Sequence, residues 1–225
     1  MTERPGSTLS ARPLHFFIVA DCSGSMAADG KMQALNNAIR ETLPHLVDVA
    51  GQNPHAQVLV RAIAFSSGAR WHIEEPTPVD RLEWTDLVTG GYTDLGAALD
   101  LLAPQLAPPL IEERALPPAI LLISDGMPTD DYKPALGRFL DEPMGRRAVR
   151  MAVGIGRDAD LEVLERFAGS AEQGALTANN PEQLVRMIRW ASTHASRVAS
   201  NLAPSAQIVA PLRRDEVSTP EELIW

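Results

Sequence analysis

Leu14-His15-Phe16-Phe17-Ile18-Val19-Ala20 runs directly into Asp21-Cys22-Ser23-Gly24-Ser25. The first stretch is short, apolar apart from His15, and rich in aromatic and β-branched residues, so it reads as a buried strand. The second is made of turn-formers that end the strand and leave carboxylate and hydroxyl oxygens at its carboxyl end. Beyond it, Met32, Leu35, Ile39, Leu43 and Leu46 recur at three- and four-residue steps. That spacing predicts an amphipathic helix over 31–49, with Pro44 placed to kink or shorten it.

The alternation continues along the chain. A strand is expected over 58–65, with a hairpin partner over 69–73 across Ser66-Ser67-Gly68. Gly90-Gly91-Tyr92-Thr93 leads into a helix over 94–106. Ala119–Ile123 is a continuous apolar run, as a parallel strand covered on both faces requires. A helix over 132–140, a strand over 148–155, a helix over 161–168, a short strand over 175–177 and a helix over 181–200 follow. Strands alternating with helices predict an α/β fold: a doubly wound, mostly parallel central sheet flanked by helices, with one antiparallel edge strand. The expected organisation is a flexible N-terminal tail over 1–12, one domain over 13–200 and a C-terminal tail or extension over 201–225.

The chain has 225 residues, 45% of them hydrophobic, and a formal net charge of -9. Such a length buries one full α/β core. The acidic balance argues against nucleic acid and anionic membrane as partners, because both reward Lys and Arg. Cys22 is the one cysteine, so an internal disulfide and a multi-thiolate zinc site are excluded. A lone thiol, the polar first twelve residues and the lack of a long apolar run lead to the expectation of a cytoplasmic protein.

Open α/β sheets build their sites at the carboxyl ends of strands. Asp21, Ser23 and Ser25 arrive there after the first strand, Thr93 after a glycine pair, and Asp125 after the Ala119–Ile123 strand. Together they offer two carboxylates and three hydroxyls, a hard oxygen set suited to Mg²⁺ or Mn²⁺, with Ca²⁺ left open. Alternate residues of a tight turn can point the same way, which lets Asp21, Ser23 and Ser25 converge. Neutral hydroxyls leave the ion a net positive field for a carboxylate from another molecule.

This pattern resembles the metal-ion-dependent adhesion site (MIDAS) of von Willebrand factor A (vWA) domains: Asp-x-Ser-x-Ser after a first strand, a distant Thr, and Ser-Asp-Gly after a central strand. Thr93-Asp94-Leu95-Gly96-Ala97-Ala98-Leu99 is similar to the family's Thr-x-Leu-x-x-Ala-Leu. Tyr92 departs from the family, many of whose members have Gly directly before that Thr. The resemblance implies that Ser23, Ser25 and Thr93 ligate the metal directly or through water. It implies that Asp21 and Asp125 act mostly through coordinated water, and that a partner's Glu or Asp completes the shell. Ser124-Asp125-Gly126-Met127-Pro128-Thr129-Asp130-Asp131-Tyr132 is also similar to a segment of bacterial tellurium-resistance proteins of the stand-alone, TerY-like type. That narrower resemblance implies a stress-linked adaptor working with a protein kinase and a metal-dependent phosphatase of the PP2C type.

Other readings compete. Asp21 and Ser23 could cap the following turn, and Thr93 the helix after it. Asp130 and Asp131 read as a solvated helix start rather than as further ligands. Cys22 reads as a buried thiol, the five histidines as scattered, and the tryptophans as packing, with Trp225 a candidate docking anchor. A phosphoaspartyl enzyme using Asp21 as nucleophile is the second functional hypothesis. It wants an acid two residues on, where Ser23 stands. A scaffold with a purely structural metal is the third. The five-oxygen set, with no general base beside it, leads to the expectation of a non-catalytic binding module.

Overall fold

The computed structural model describes residues 11–53, 55–169 and 175–199. Its centre is β1 (Arg12–Asp21), buried along nearly its whole length. Successive strand residues point to opposite faces. Leu14, Phe16, Ile18 and Ala20 therefore enter one apolar core, and Phe17 and Val19 the other. The first core is closed by α1 (Lys31–Gly51) and α6 (Pro181–Ala199), the second by α2 (Leu95–Leu102), α3 (Tyr132–Asp141) and α5 (Leu161–Ala168). Two covered faces explain why β1 and β4 (Ala119–Ser124) read as continuous apolar runs.

Among the described residues the sheet has six strands in the order β3-β2-β1-β4-β5-β6. Here β2 is Ala56–Ser66, β3 Gly68–Pro78, β5 Val149–Ile155 and β6 Ala175–Ala178. All neighbours pair in parallel except β2 and β3, which form the antiparallel edge. The expected fold class is therefore the observed one. The winding direction reverses between β1 and β4, and such a junction opens a crevice at the strands' carboxyl ends. Asp21 ends β1 at that crevice, and Ser124 ends β4.

Several boundaries differ from the sequence reading. Helix α1 passes through Pro44 without stopping. Both Pro44 and Arg40, whose carbonyl loses its helical donor, lie on the exposed face, where water can replace the bond. Helix α2 ends at Leu102, ahead of Pro104, and a 3-10 turn (Ala103–Leu106) completes the stretch expected to be helical. Strand β3 extends through Pro76 to Pro78; prolines are tolerated on an edge strand, and its pairing with β2 shifts register near Ala62. A five-residue helix, α4 (Pro143–Arg147), had no counterpart in the periodicity. Apart from its last two residues, the tail expected over 1–12 lies outside the described residues, and so does the whole of 201–225 with Trp225; β1 begins at Arg12.

Candidate metal centre

The register of the two central strands builds the site. Ala20 pairs with Ile123, so the next residues, Asp21 and Ser124, meet across the β1–β4 junction. Ser124 Oγ donates to Asp21 Oδ2 at 2.6 Å, while Asp21 Oδ1 accepts from the Ser23 backbone N–H at 2.8 Å. Both carboxylate oxygens are thus engaged. Burial pushes the Asp21 carboxyl above its usual range, the hydrogen bonds from Ser124 and Ser23 oppose the rise, and the Asp125 charge adds to it.

From Asp21 the turn carries its hydroxyls toward Asp125. Ser23 Oγ lies 3.0 Å from Ser25 Oγ, and Ser25 Oγ donates to Asp125 Oδ1 at 2.7 Å. Ser23 opens a 3-10 turn (Gly24–Gly30), but its hydroxyl makes no capping bond there. The capping role weighed for Asp21 is met in part, through its bond from Ser23 N–H. Asp125 Oδ2 accepts from Lys31 Nζ at 2.8 Å, in a pair whose side chains are 6% and 0% exposed.

Thr93 lies on a separate loop whose glycine pair is bonded to this turn. Gly24 N–H donates to Gly91 O at 3.0 Å and Gly90 N–H to Cys22 O at 2.8 Å, which fastens the glycine pair to the first turn. Thr93 is buried. It exchanges two bonds with Thr129: Thr93 N–H donates to Thr129 Oγ1 at 3.0 Å, and Thr129 N–H to Thr93 O at 2.9 Å. Thr129 Oγ1 in turn donates to Asp94 Oδ1 at 2.9 Å, and Asp94 Oδ2 accepts from Gly68 N–H at 2.7 Å. Asp94, not Thr93, stands at the N-cap position of α2.

The acidic pair after Asp125 divides its work. Asp131 caps its own helix, α3, accepting from Lys133 N–H. Asp130 accepts from Gly96 and Ala97 N–H, both at 3.1 Å, and so caps α2. The solvated helix start expected of both residues describes Asp131 alone. Cys22 is buried, as expected, and burial, reinforced by Asp21 and opposed by Arg70, pushes its thiol up to about 12.

This six-stranded arrangement recurs in solved structures. A von Willebrand factor type A protein from Catenulispora acidiphila matches with a TM-score of 0.59 and 20% identity, over 82% of this chain and 43% of that one. This chain has the von Willebrand factor type A fold. The ArnB paralog VWA2 from Sulfolobus acidocaldarius matches with a TM-score of 0.56 and 19% identity, over 77% of this chain and 43% of that one. Proximal thread matrix protein 1 from the mussel byssus, whose MIDAS motif is occupied by zinc, matches at 0.58 and 17%, over 82% and 46%. The chain thus spans less than half the length of these three structures. No family model matches the chain, and no curated protein does.

The donor chemistry of the vWA crevice fits a hard divalent cation. Ser23, Ser25 and Asp125 are joined oxygen to oxygen, Asp21 is tied to the same turn through the Ser23 backbone N–H, and the Thr93 loop is fastened beside them. Among the described residues no group of three or more His, Cys, Asp or Glu side chains could hold a metal by itself, so the hydroxyls are essential to any such site. Lys31 and the bracing roles of Ser124, Thr129 and Asp130 were not assigned from sequence. Ser124 and Thr129 lie inside a motif whose sequence signal is carried by its metal-facing residues, and Lys31 carries no signal beyond its place at the start of a helix. No helix among the described residues is long and apolar enough to cross a membrane.

Proposed function

We propose that this chain is a metal-dependent protein-binding module. Asp21, Ser23, Ser25, Thr93 and Asp125 hold a divalent cation, and a partner protein supplies an Asp or Glu to it. The observation that carries this reading is the unbroken line of oxygen contacts from Ser23 through Ser25 to Asp125 at the sheet's switch point. Mg²⁺ is the proposed ion, on the strength of the all-oxygen donor set; Mn²⁺ and Ca²⁺ share that preference. When bound, the cation supplies positive charge and open positions for a carboxylate. The residues of the chain hold the oxygens in place and keep Asp21 and Asp125 away from bulk water.

The loops that carry Thr93 and Asp125 also present Tyr92 and Met127, 69% and 68% exposed. Large apolar side chains beside a polar site suit contact with a protein partner. The role proposed is binding rather than catalysis. The burial of Asp21, with both oxygens engaged, supports that choice over a phosphoaspartyl mechanism. The likeness of residues 124–132 to tellurium-resistance proteins supports a cytoplasmic stress or phosphorylation-linked adaptor, with a protein kinase and a PP2C-type phosphatase as proposed partners.

Calorimetric titration of Mg²⁺, Mn²⁺ and Ca²⁺ into the chelator-treated full chain, beside Asp21→Ala and Asp125→Ala, tests the site. One-site binding that disappears in both folded variants is the expected result. Equal binding in the variants, or none in the wild type, would overturn the reading.

A further inference from the structure

Lys31 breaks a local rule. It is the first residue of α1, the positive end of the helix dipole, where acidic side chains are favoured; the first turn of α1 holds none. It is also 5% exposed, in a class of residue that is rarely buried without a partner. Gly30, in the left-handed region at φ 72°, turns the chain into the helix and sets the direction in which Lys31 leaves it. The ammonium meets Asp125 Oδ2 at 2.8 Å, and Ser25 holds the other oxygen.

We infer that Lys31 is a resident cation of the divalent-cation site, which makes binding of the metal depend on the carboxylate that joins it. The inference rests on the metal-site reading above. Without Lys31, the charges of Asp21 and Asp125 would cancel a divalent cation, and an incoming carboxylate would meet a neutral site. With Lys31 paired to Asp125, the same cation leaves one positive charge over, and a partner's carboxylate neutralises it. At interior separations one unit charge is worth more than the few-fold effects of exposed pairs. Lys31 therefore weakens the hold on the bare ion and strengthens the hold on ion and acid together. This favours a site that is filled when an acidic partner arrives.

The test is Mn²⁺ titration of the full chain by calorimetry, with sodium acetate or matched sodium chloride present, for wild type, Lys31→Gln and Lys31→Arg. Gln keeps a donor toward Asp125 without the charge, and Arg keeps the charge. In chloride, Lys31→Gln is expected to bind Mn²⁺ about tenfold more tightly than wild type, with Lys31→Arg close to wild type. Acetate should tighten Mn²⁺ binding in wild type and Lys31→Arg, and have little effect in Lys31→Gln. Circular dichroism in chelator checks that each variant is folded. Equal or weaker Mn²⁺ binding by folded Lys31→Gln would reduce Lys31 to a strut for Asp125 and overturn the inference while leaving the metal site standing. Should Lys31→Gln fail to fold, the wild type decides: no tightening by acetate overturns the inference. No binding of Mn²⁺ by any of the three would remove the metal site itself, and this inference with it.

Discussion

Asp130 seats its carboxylate on the N-terminus of α2 against Gly96, with Oδ1 3.1 Å from the Gly96 nitrogen and Oδ2 2.7 Å from where a Cβ on that residue would stand. Glycine is needed there for close approach, not for backbone freedom. The contact joins the loop after β4 to the helix after Thr93, so it fixes two of the three segments that meet at the crevice. Asp130→Ala is expected to cost about 1 kcal/mol of stability, the usual worth of a lost cap. It should also weaken Mn²⁺ binding several-fold. Urea denaturation and calorimetry read the two effects, and an unchanged midpoint would show that the cap contributes nothing.

Asp21 is a carboxylate held where it is least welcome. Its folded pKa is raised by burial above the 3.8 of a free Asp, so the fold binds its proton more readily than the unfolded chain. The ionised form therefore costs stability at neutral pH, and that cost disappears as pH falls below both values. Asp21→Asn removes the charge, keeps an acceptor for the Ser23 N–H, and turns an amide toward the Ser124 hydroxyl. The variant is expected to melt higher than wild type in chelator and to lose the wild type's upward shift with Mg²⁺. A lower melting temperature in chelator would show that the ionised Asp21 is not a strained group.

These two residues show how much of the molecule was legible. Strand β1 and its ending at Asp21 were readable because both faces of the strand are covered, leaving a run of apolar types that stops at the first carboxylate. The meeting of Ser23, Ser25 and Asp125, with the Thr93 loop beside them, was readable because each follows a strand end or a glycine pair within a few residues. Asp130 and Lys31 were not. Their partners, Gly96 and Asp125, lie far away in sequence, and the register of β1 on β4 and the path of the loops bring them together. Pro44 misled in the opposite sense. Local chemistry says that it interrupts a helix, and the buried Leu35, Ile39 and Leu46 on the other face of α1 outweigh it.

Cys22 sits between two proposed ligands, yet it packs into the core under α1. With its thiol pushed up to about 12, chiefly by burial, almost no thiolate exists at neutral pH. Ellman's reagent should leave the folded protein unlabelled over hours and label one thiol per chain at once in denaturant. Rapid labelling of the native protein would mean that the turn opens readily.

His72 is expected to give the stability of β3 a pH dependence. Its ring is tilted over Trp84 at a centroid distance of 4.8 Å, and Nε2 donates to Thr85 O at 2.8 Å. Burial lowers its pKa below 6.5, Arg70 adds to the drop, and the Thr85 carbonyl opposes it. The unfolded chain therefore takes up a proton first as pH falls. Stability from this residue is full above 6.5 and is lost as pH drops through the lower folded value. His72→Gln removes that slope. Between about pH 7.5 and about pH 5.5, urea midpoints should move in favour of the variant. Parallel profiles would assign the acid sensitivity elsewhere.

Gly91 links the Thr93 loop to both of its neighbours. Its φ of 89° lies in the region that favours glycine, and a Cβ there would stand 2.5 Å from Ser67 Oγ and 3.0 Å from Ser67 N. Its carbonyl receives Gly24 N–H from the first turn, and the next residue, Tyr92, donates its N–H to Ser67 Oγ at 3.1 Å. Gly91→Ala must therefore strain the backbone and push Ser67 aside, at a cost of about 1–3 kcal/mol. Because the loop is tied to the turn through Gly24, the displacement should reach Thr93, and Mn²⁺ affinity should fall along with the melting temperature. Ser67→Ala serves as the control. It removes the Tyr92 bond without the backbone strain, and its effect on both readouts should be smaller. A Gly91→Ala protein that melts lower but binds Mn²⁺ as tightly as wild type would show that the strain stops short of the cation's ligands, with Thr93 held in place by Thr129.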